Sequence, residues 1–344
     1  MSTSDVTRDG IRGAHPGREA RVGGTGEQRW RPRGQRTAAP EYSPDSYYGL
    51  PVLNPPRWAA TDIAGYFFLG GLAGGSSVLA AGGHWTNRPG LARPAKLVAL
   101  GAVSGSVVAL VHDLGRPARF LNMLRVFKIT SPMSVGSWLL AAYGPAAGAA
   151  AITDLTGWFP RIGATATATA AVLGPLVAAY TAALAADTAV PAWHEGHREL
   201  PFVFVSSAAL AASGASMIAA PTAQTGPARR AAVLAAAGEL AATARMERRM
   251  GMVAEPYRTG WGGRLMKAAK ALTVAGAVGG ALLGRRSRVA AGVCGAALLV
   301  GSACTRFGVF HAGMESARDP KYTVEPQRAR VRERAARAAE ENVA

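Results

Sequence analysis

The 344-residue chain predicts an all-α integral membrane protein, a bundle of about eight transmembrane helices with a short interfacial helix after the second. Three observations predict it. Only 17% of the residues are charged, where soluble domains carry about a quarter. Mean hydropathy is positive, at +0.12. Four stretches, residues 63–83, 133–153, 162–186 and 200–224, contain no Asp, Glu, Lys or Arg, and roughly 20 residues at 1.5 Å each cross a hydrocarbon layer about 30 Å thick.

Residues 1–45 hold eight Arg among Gly, Pro, Thr and Ser. With no apolar run after the basic start, they predict a disordered Arg-rich tail and no secretory signal. Residues 46–311 form the transmembrane domain. Its first span is 63–83, and the second, 97–111, is short between charges. The third to fifth are 133–153, 162–186 and 200–224, and 231–244, 271–284 and 289–305 complete the count. The short spans are lengthened if Lys96, Arg230, Arg245, Lys267, Lys270 and Arg285 snorkel; otherwise one of them lies on the membrane surface and seven remain. Glycines four apart, at 70/74, 71/75, 101/105, 144/148 and 276/280, predict close helix contacts. Residues 312–344 are a polar tail, with a solvated charged helix expected over 324–339.

Charge and cysteine usage narrow the class. Cys294 and Cys304 lack the CxxC spacing of a zinc or iron–sulfur site and make no disulfide framework, so no metal is expected. The net charge of +17 flanks apolar segments, which points to membrane lipids and away from nucleic acid. With an even span count both termini share one side, which carries 28 Lys and Arg against nine opposite. That side is therefore expected to be cytoplasmic in a multi-pass protein of the cell membrane.

The loop after the second span carries the densest chemistry. His112 and Asp113 end the span. Gly115 suits a left-handed helix stop, and Pro117 blocks continuation. Asp113, at a helix C-terminus, needs a cation, and Arg116 and Arg119 are in reach. Phe120, Met123, Leu124 and Phe127 fall on one helical arc, opposite Asn122, Arg125 and Lys128, giving the interfacial helix. Ser131 then caps the third span with Pro132 at its first position. This loop is either a rigid basic anchor for lipid headgroups or a polar floor on which a quinone docks, since a quinone needs an apolar slot, donors to two carbonyls and a proton-exchanging group.

Candidate quinone-binding residues are Asp62, Tyr66, His112, Asp113, Arg116 and Asn122. Each has a structural alternative: Asp62 as a first-turn helix acid, Tyr66 as an interfacial aromatic, His112 as a satisfied helix-end group, Asp113 with Arg116 as a loop-shaping pair, and Asn122 turned to headgroups. Glu239, a carboxylate inside a span, is expected to face the bundle interior, as a proton-path residue or a neutralised acid, with Arg306 as partner or snorkelling residue. A bis-His haem needs two facing histidines; His84 falls at the opposite edge from His112, which leaves His311 alone to face it, at the extreme rim.

The segment 112–128 followed by Ser131-Pro132-Met133-Ser134-Val135-Gly136-Ser137-Trp138 resembles the signature of the NrfD/PsrC family, the polysulphide reductase-type membrane subunits. Tyr66-Phe67-Phe68-Leu69-Gly70-Gly71 resembles its opening helix. Arg306-Phe307 and Ser316-Ala317-Arg318-Asp319-Pro320-Lys321-Tyr322 resemble its closing segment, so the likeness covers residues 47–322. The Ala- and Arg-rich composition resembles an actinobacterial, formate dehydrogenase-associated member. The resemblance implies a quinone-reactive anchor subunit of an oxidoreductase complex, with menaquinone as exchangeable redox ligand and no haem or metal of its own. It also implies an iron–sulfur, ferredoxin-like partner, a molybdopterin catalytic subunit that handles the other substrate, and in some relatives proton translocation. A transporter or proton channel without redox chemistry and a purely structural anchor remain the alternatives.

Overall fold

A computed structural model describes residues 5–7, 10–12, 52–116 and 118–341. Residues Met1–Ser46 and Tyr47–Ala344 form separate units. In the first, the three-residue strands Asp5–Thr7 and Gly10–Arg12 pair antiparallel; the expected disordered tail otherwise lies outside the described residues, as does Pro117.

The second unit is all-helical. Its long helices are α1 (Ala60–Trp85), α2 (Pro89–Asp113), α4 (Pro132–Thr156), α5 (Pro160–Ala186), α7 (Leu200–Ala219), α8 (Gly226–Arg249), α9 (Gly260–Leu283) and α10 (Arg288–Arg318). Two five-residue helices, α3 (Arg119–Met123) and α6 (Pro191–Glu195), a 3-10 segment over Gly251–Tyr257 and a C-terminal α11 (Lys321–Glu341) lie between or after them. Seven of the eight long helices are apolar enough to cross a membrane; α8, at 24 residues, is long enough. It differs because arginines occupy both its ends and Glu239 its middle. The apolar runs that looked short belong to helices of 24 to 31 residues, whose charged ends supply the missing length.

Local sequence sets most boundaries. Ser131 Oγ accepts the Ser134 amide at 3.5 Å with Pro132 at the first turn of α4, and Gly115 closes α2 at φ +66°, both as expected. The fifth span stops at Ala219, earlier than 224, because Ala220 precedes Pro221 and takes an extended conformation. The interfacial helix α3 ends at Met123 rather than running to Lys128. Ser134 folds the chain back there, accepting the Lys128 amide at 3.0 Å and donating to the Val126 carbonyl at 2.8 Å. Helix α10 continues past residue 311, where Ala312, Gly313, Ser316 and Ala317 are buried.

α1 is the hub, packing on α2, α5, α7 and α10. Two crossings bring glycine onto glycine: Gly74 of α1 against Gly174 of α5, and Gly214 of α7 against Gly295 of α10. A β-carbon at any of the four would fall on the opposing backbone. Of the other expected glycines, Gly75 and Gly276 also approach a neighbouring carbonyl, Gly70, Gly71 and Gly280 lie against side chains, and Gly101 and Gly144 face open space. Exposed Trp85 and Trp158 mark one rim of the bundle and Trp138 and Trp261 the other, the pattern of interfacial aromatic belts. Lys96 does not snorkel as expected: it is buried, 2.8 Å from Asp154, which Arg93 also holds at 2.9 Å.

Gly174→Leu should cost about 1–3 kcal/mol by overpacking, seen as a drop of several degrees in the melting temperature of the detergent-purified chain. Gly144→Ala should leave it unchanged within about 0.5 kcal/mol.

Candidate functional site

Antiparallel packing places the start of α1 beside the end of α2. Asp62 lies in the first turn of α1 and His112 in the last turn of α2, so each sits at the helix end whose dipole favours its charge. Packing brings His112 Nδ1 to 2.8 Å from Asp62 Oδ2. The pair is asymmetric: the His112 side chain is 76% exposed and that of Asp62 only 18%. One imidazole nitrogen is thus held by a shielded carboxylate while the rest of the ring faces outward.

Asp113 does not pair with Arg116. Its Oδ1 accepts the amide of Ala59 at 3.4 Å, tying the end of α2 to the residue that precedes α1. Arg116 is exposed, Arg119 donates to the Leu114 carbonyl at 3.4 Å, and Asn122 lies exposed on α3. The structure therefore groups Asp62, His112 and Asp113 and leaves Arg116 and Asn122 on the loop surface. Tyr66, one turn deeper, is 1% exposed and its hydroxyl interacts with that of Tyr180 on α5. Tyr180 in turn lies across Gly136 of α4, where a β-carbon would enter its ring. Sequence reasoning missed Tyr180, which has no charge, motif or turn beside it.

A second polar group lies inside the bundle. Glu239 of α8 is 4% exposed; Thr305 of α10 donates to its Oε1 at 2.8 Å and Thr273 of α9 to its Oε2 at 3.1 Å. Ser207, which also reaches this carboxylate, is 2.8 Å from Ser302. Arg306 of α10 is fully buried. Its Nη2 donates to the Phe204 carbonyl at 2.6 Å, its guanidinium carbon is 3.8 Å from the centre of the Phe204 ring, and Gly71 of α1 leaves it room. Nε and Nη1 have no protein acceptor among the described residues. Glu239 and Arg306 feel each other's charge without touching, so Arg306 neither snorkels nor forms the contact pair considered from sequence.

The rim that holds His112 is closed by α6. Trp193 is buried, stacked on Trp58 at 5.5 Å, and donates Nε1–H to the Val309 carbonyl at 2.8 Å. Tyr257 donates to the Ala192 carbonyl at 3.0 Å, and Ser316 accepts the Ala192 amide at 3.1 Å. Beside this plug opens a cavity of about 570 Å³, lined among others by Trp58, Ala60, Trp261, Phe310, His311 and Glu315. Its volume suits a small organic ligand, and neither His112 nor Asp62 lines it.

The family model described as polysulphide reductase, NrfD, matches residues 54–235. The chain belongs to the NrfD family. No curated protein matches it. The matched stretch runs from the segment before α1 into α8, and so contains Asp62, Tyr66, His112 and Tyr180; Glu239 and Arg306 lie beyond it. This NrfD chain is a multi-pass membrane protein, in contact with lipid, of a family of membrane subunits of redox complexes.

On the same rim Glu199, just before α7, accepts from Arg249 Nη2 at 2.6 Å and Nε at 2.8 Å. These charged donors hold its carboxyl below the ordinary glutamate value. A depressed folded-state value stabilises the fold above the unfolded pKa, and that stabilisation is lost as pH falls through the folded value. Thermal unfolding followed downward from pH 7 should show a loss that begins below 4.5, and Glu199→Gln should flatten it.

Proposed function

We propose that this NrfD chain is the quinone-reactive subunit of its complex, exchanging electrons between a membrane quinone and an iron–sulfur partner that serves a molybdopterin catalytic subunit. The observation that carries this reading is the 2.8 Å His112–Asp62 pair at the bundle rim. Quinol oxidation releases two electrons and two protons, so it needs a proton acceptor at the point where electrons leave. His112, titrating near neutrality in its free form, meets the need: its outward nitrogen accepts a proton while Asp62 stabilises the resulting imidazolium through Nδ1–H. Asp113 acts by position, fixing the end of α2 against Ala59. The Tyr66–Tyr180 hydroxyls supply donors one turn below. Arg116 and Asn122, exposed on the loop, fit contact with headgroups or with the partner better than contact with quinone.

Both termini are assigned to the cytoplasmic side, on the Lys and Arg distribution. Glu239 and Arg306 are assigned to a proton path through the bundle. A conduction role without redox chemistry is the second reading, favoured by the two unpartnered donors of the fully buried Arg306.

The test is quinol-dependent reduction of the partner's clusters in the purified complex, followed by electron paramagnetic resonance. His112→Ala and Asp62→Asn should lower the rate by about 10²-fold or more, the scale of a lost general base, with assembly intact. Wild-type rates in both variants would overturn the assignment. Glu239→Gln in proteoliposomes should keep quinol oxidation and lose the coupled proton movement; full proton-coupled turnover would remove Glu239 from the path.

A further inference from the structure

We infer that the rim ends of α7 and α8 form a binding site for one anionic phospholipid, seating its phosphate among Arg198, Arg245 and Arg248 and an acyl chain in the groove above. Two adjoining cavities meet there. One, of about 680 Å³, lies on α8 against Ala241, Ala244, Arg245 and Arg248. The other, of about 450 Å³, lies between α7 and α8 and is lined by Arg198, Phe202, Ser206, Gly238, Ala242 and Arg245. Arg245 is their common wall.

The charge count is unbalanced. Glu199 is the one carboxylate that lines either cavity, and Arg249 already holds both its oxygens. Arg245 stands 3.7 Å from it and is 80% exposed. Arg198 and Arg248 are exposed and form no ion pair among the described residues. Arg245, loosely paired with Glu199, thus shares one cavity with Arg198, in the turn before α7, and the other with Arg248, one turn further along α8, and the single carboxylate does not balance their charge. The groove that leaves this point is apolar and shallow: exposed Phe202 forms its α7 wall, and Gly238, approached closely by Ser206, with Ala241 and Ala242 forms its α8 wall. Leu234, Ala241, Arg245 and Arg248 share the outward face of α8 by their spacing of seven, four and three residues. A polar cup at the rim opening onto an apolar channel along the span matches a phosphodiester with an attached chain, and basic pockets between membrane helices bind such headgroups. A soluble phosphate would use the cup and leave the channel empty. An arginine that only snorkels would need no channel. The bound lipid covers α8, the helix between the spans α7 and α9 that is too polar to cross by composition alone.

The test is native mass spectrometry of the full chain released from mild detergent, titrated with phosphatidylglycerol, phosphatidylcholine or inorganic phosphate. Wild type should retain one phosphatidylglycerol with about tenfold or greater preference over phosphatidylcholine, undisplaced by inorganic phosphate. R198A/R245A/R248A should lose that retention about tenfold or more. Ala241→Trp, which keeps every arginine and fills the channel from a lipid-facing position, should lose it too. Wild-type retention in the triple variant would overturn the site. Retention in Ala241→Trp would reduce it to general snorkelling, and displacement by inorganic phosphate would make it a soluble-anion site; either result overturns the inference.

Discussion

Glycine lies directly on glycine at two crossings, Gly74 on Gly174 and Gly214 on Gly295, and the bundle is organised around such close approaches. Lipid tails are as apolar as leucine, so burying apolar side chains gives helices little reason to associate in a membrane; close packing supplies it. The first crossing joins α1 to α5, and the second joins α7 to α10. Since α1 also packs on α2, α7 and α10, these approaches place the helices that bear Asp62, His112, Tyr180 and Arg306. The room left at Gly71 is taken by Arg306, so the same lack of side chains that lets helices touch also admits a guanidinium to the interior.

That interior obeys a second constraint. A polar group away from water must find a partner inside the protein. Thr167 and Thr153 return their hydroxyls to carbonyls one turn back, Ser207 meets Ser302, and Lys96 is tied to Asp154. Arg306 is the exception, with one carbonyl and one ring face for a group that carries five donors. An unsatisfied buried donor costs about 1–3 kcal/mol, so this cation is a costly choice for a purely structural role. Its neighbour Glu239 accepts from two threonines instead of meeting it directly.

The rims are where helix ends, and hence dipoles, unpaired backbone groups and charges, collect. On the rim of His112 the chain spends its ends economically: Asp62 and His112 complement their helix dipoles, Asp113 takes an amide at the start of α1, and α6 with Trp193 closes the gap between α1 and α10. Two different surfaces result. The α1–α2 corner presents an exposed imidazole; the α7–α8 corner presents Arg198 and Arg248, without ion pairs among the described residues, over an apolar groove. The first is the corner proposed for a redox carrier dissolved in the bilayer, and the second the corner proposed for the bilayer's own anionic component.

Hydropathy and charge by themselves determined the all-helical membrane class, nearly every span, the Ser131–Pro132 start of α4 and the Gly115 stop of α2, because these depend on residues within a turn or two of one another. The loop motif was likewise legible, and the family model matches the stretch that contains it. Tertiary structure alone decided which groups meet. Asp62 and His112 are 50 residues apart, and Asp113 found Ala59 instead of Arg116, because the register of antiparallel helices selects partners across the bundle over cations close in sequence. Tyr180 under Tyr66, Trp193 against Val309, Lys96 on Asp154 and Arg306 over Phe204 left no trace in periodicity, since a spacing pattern says which face of a helix is turned inward and is silent on what that face will touch.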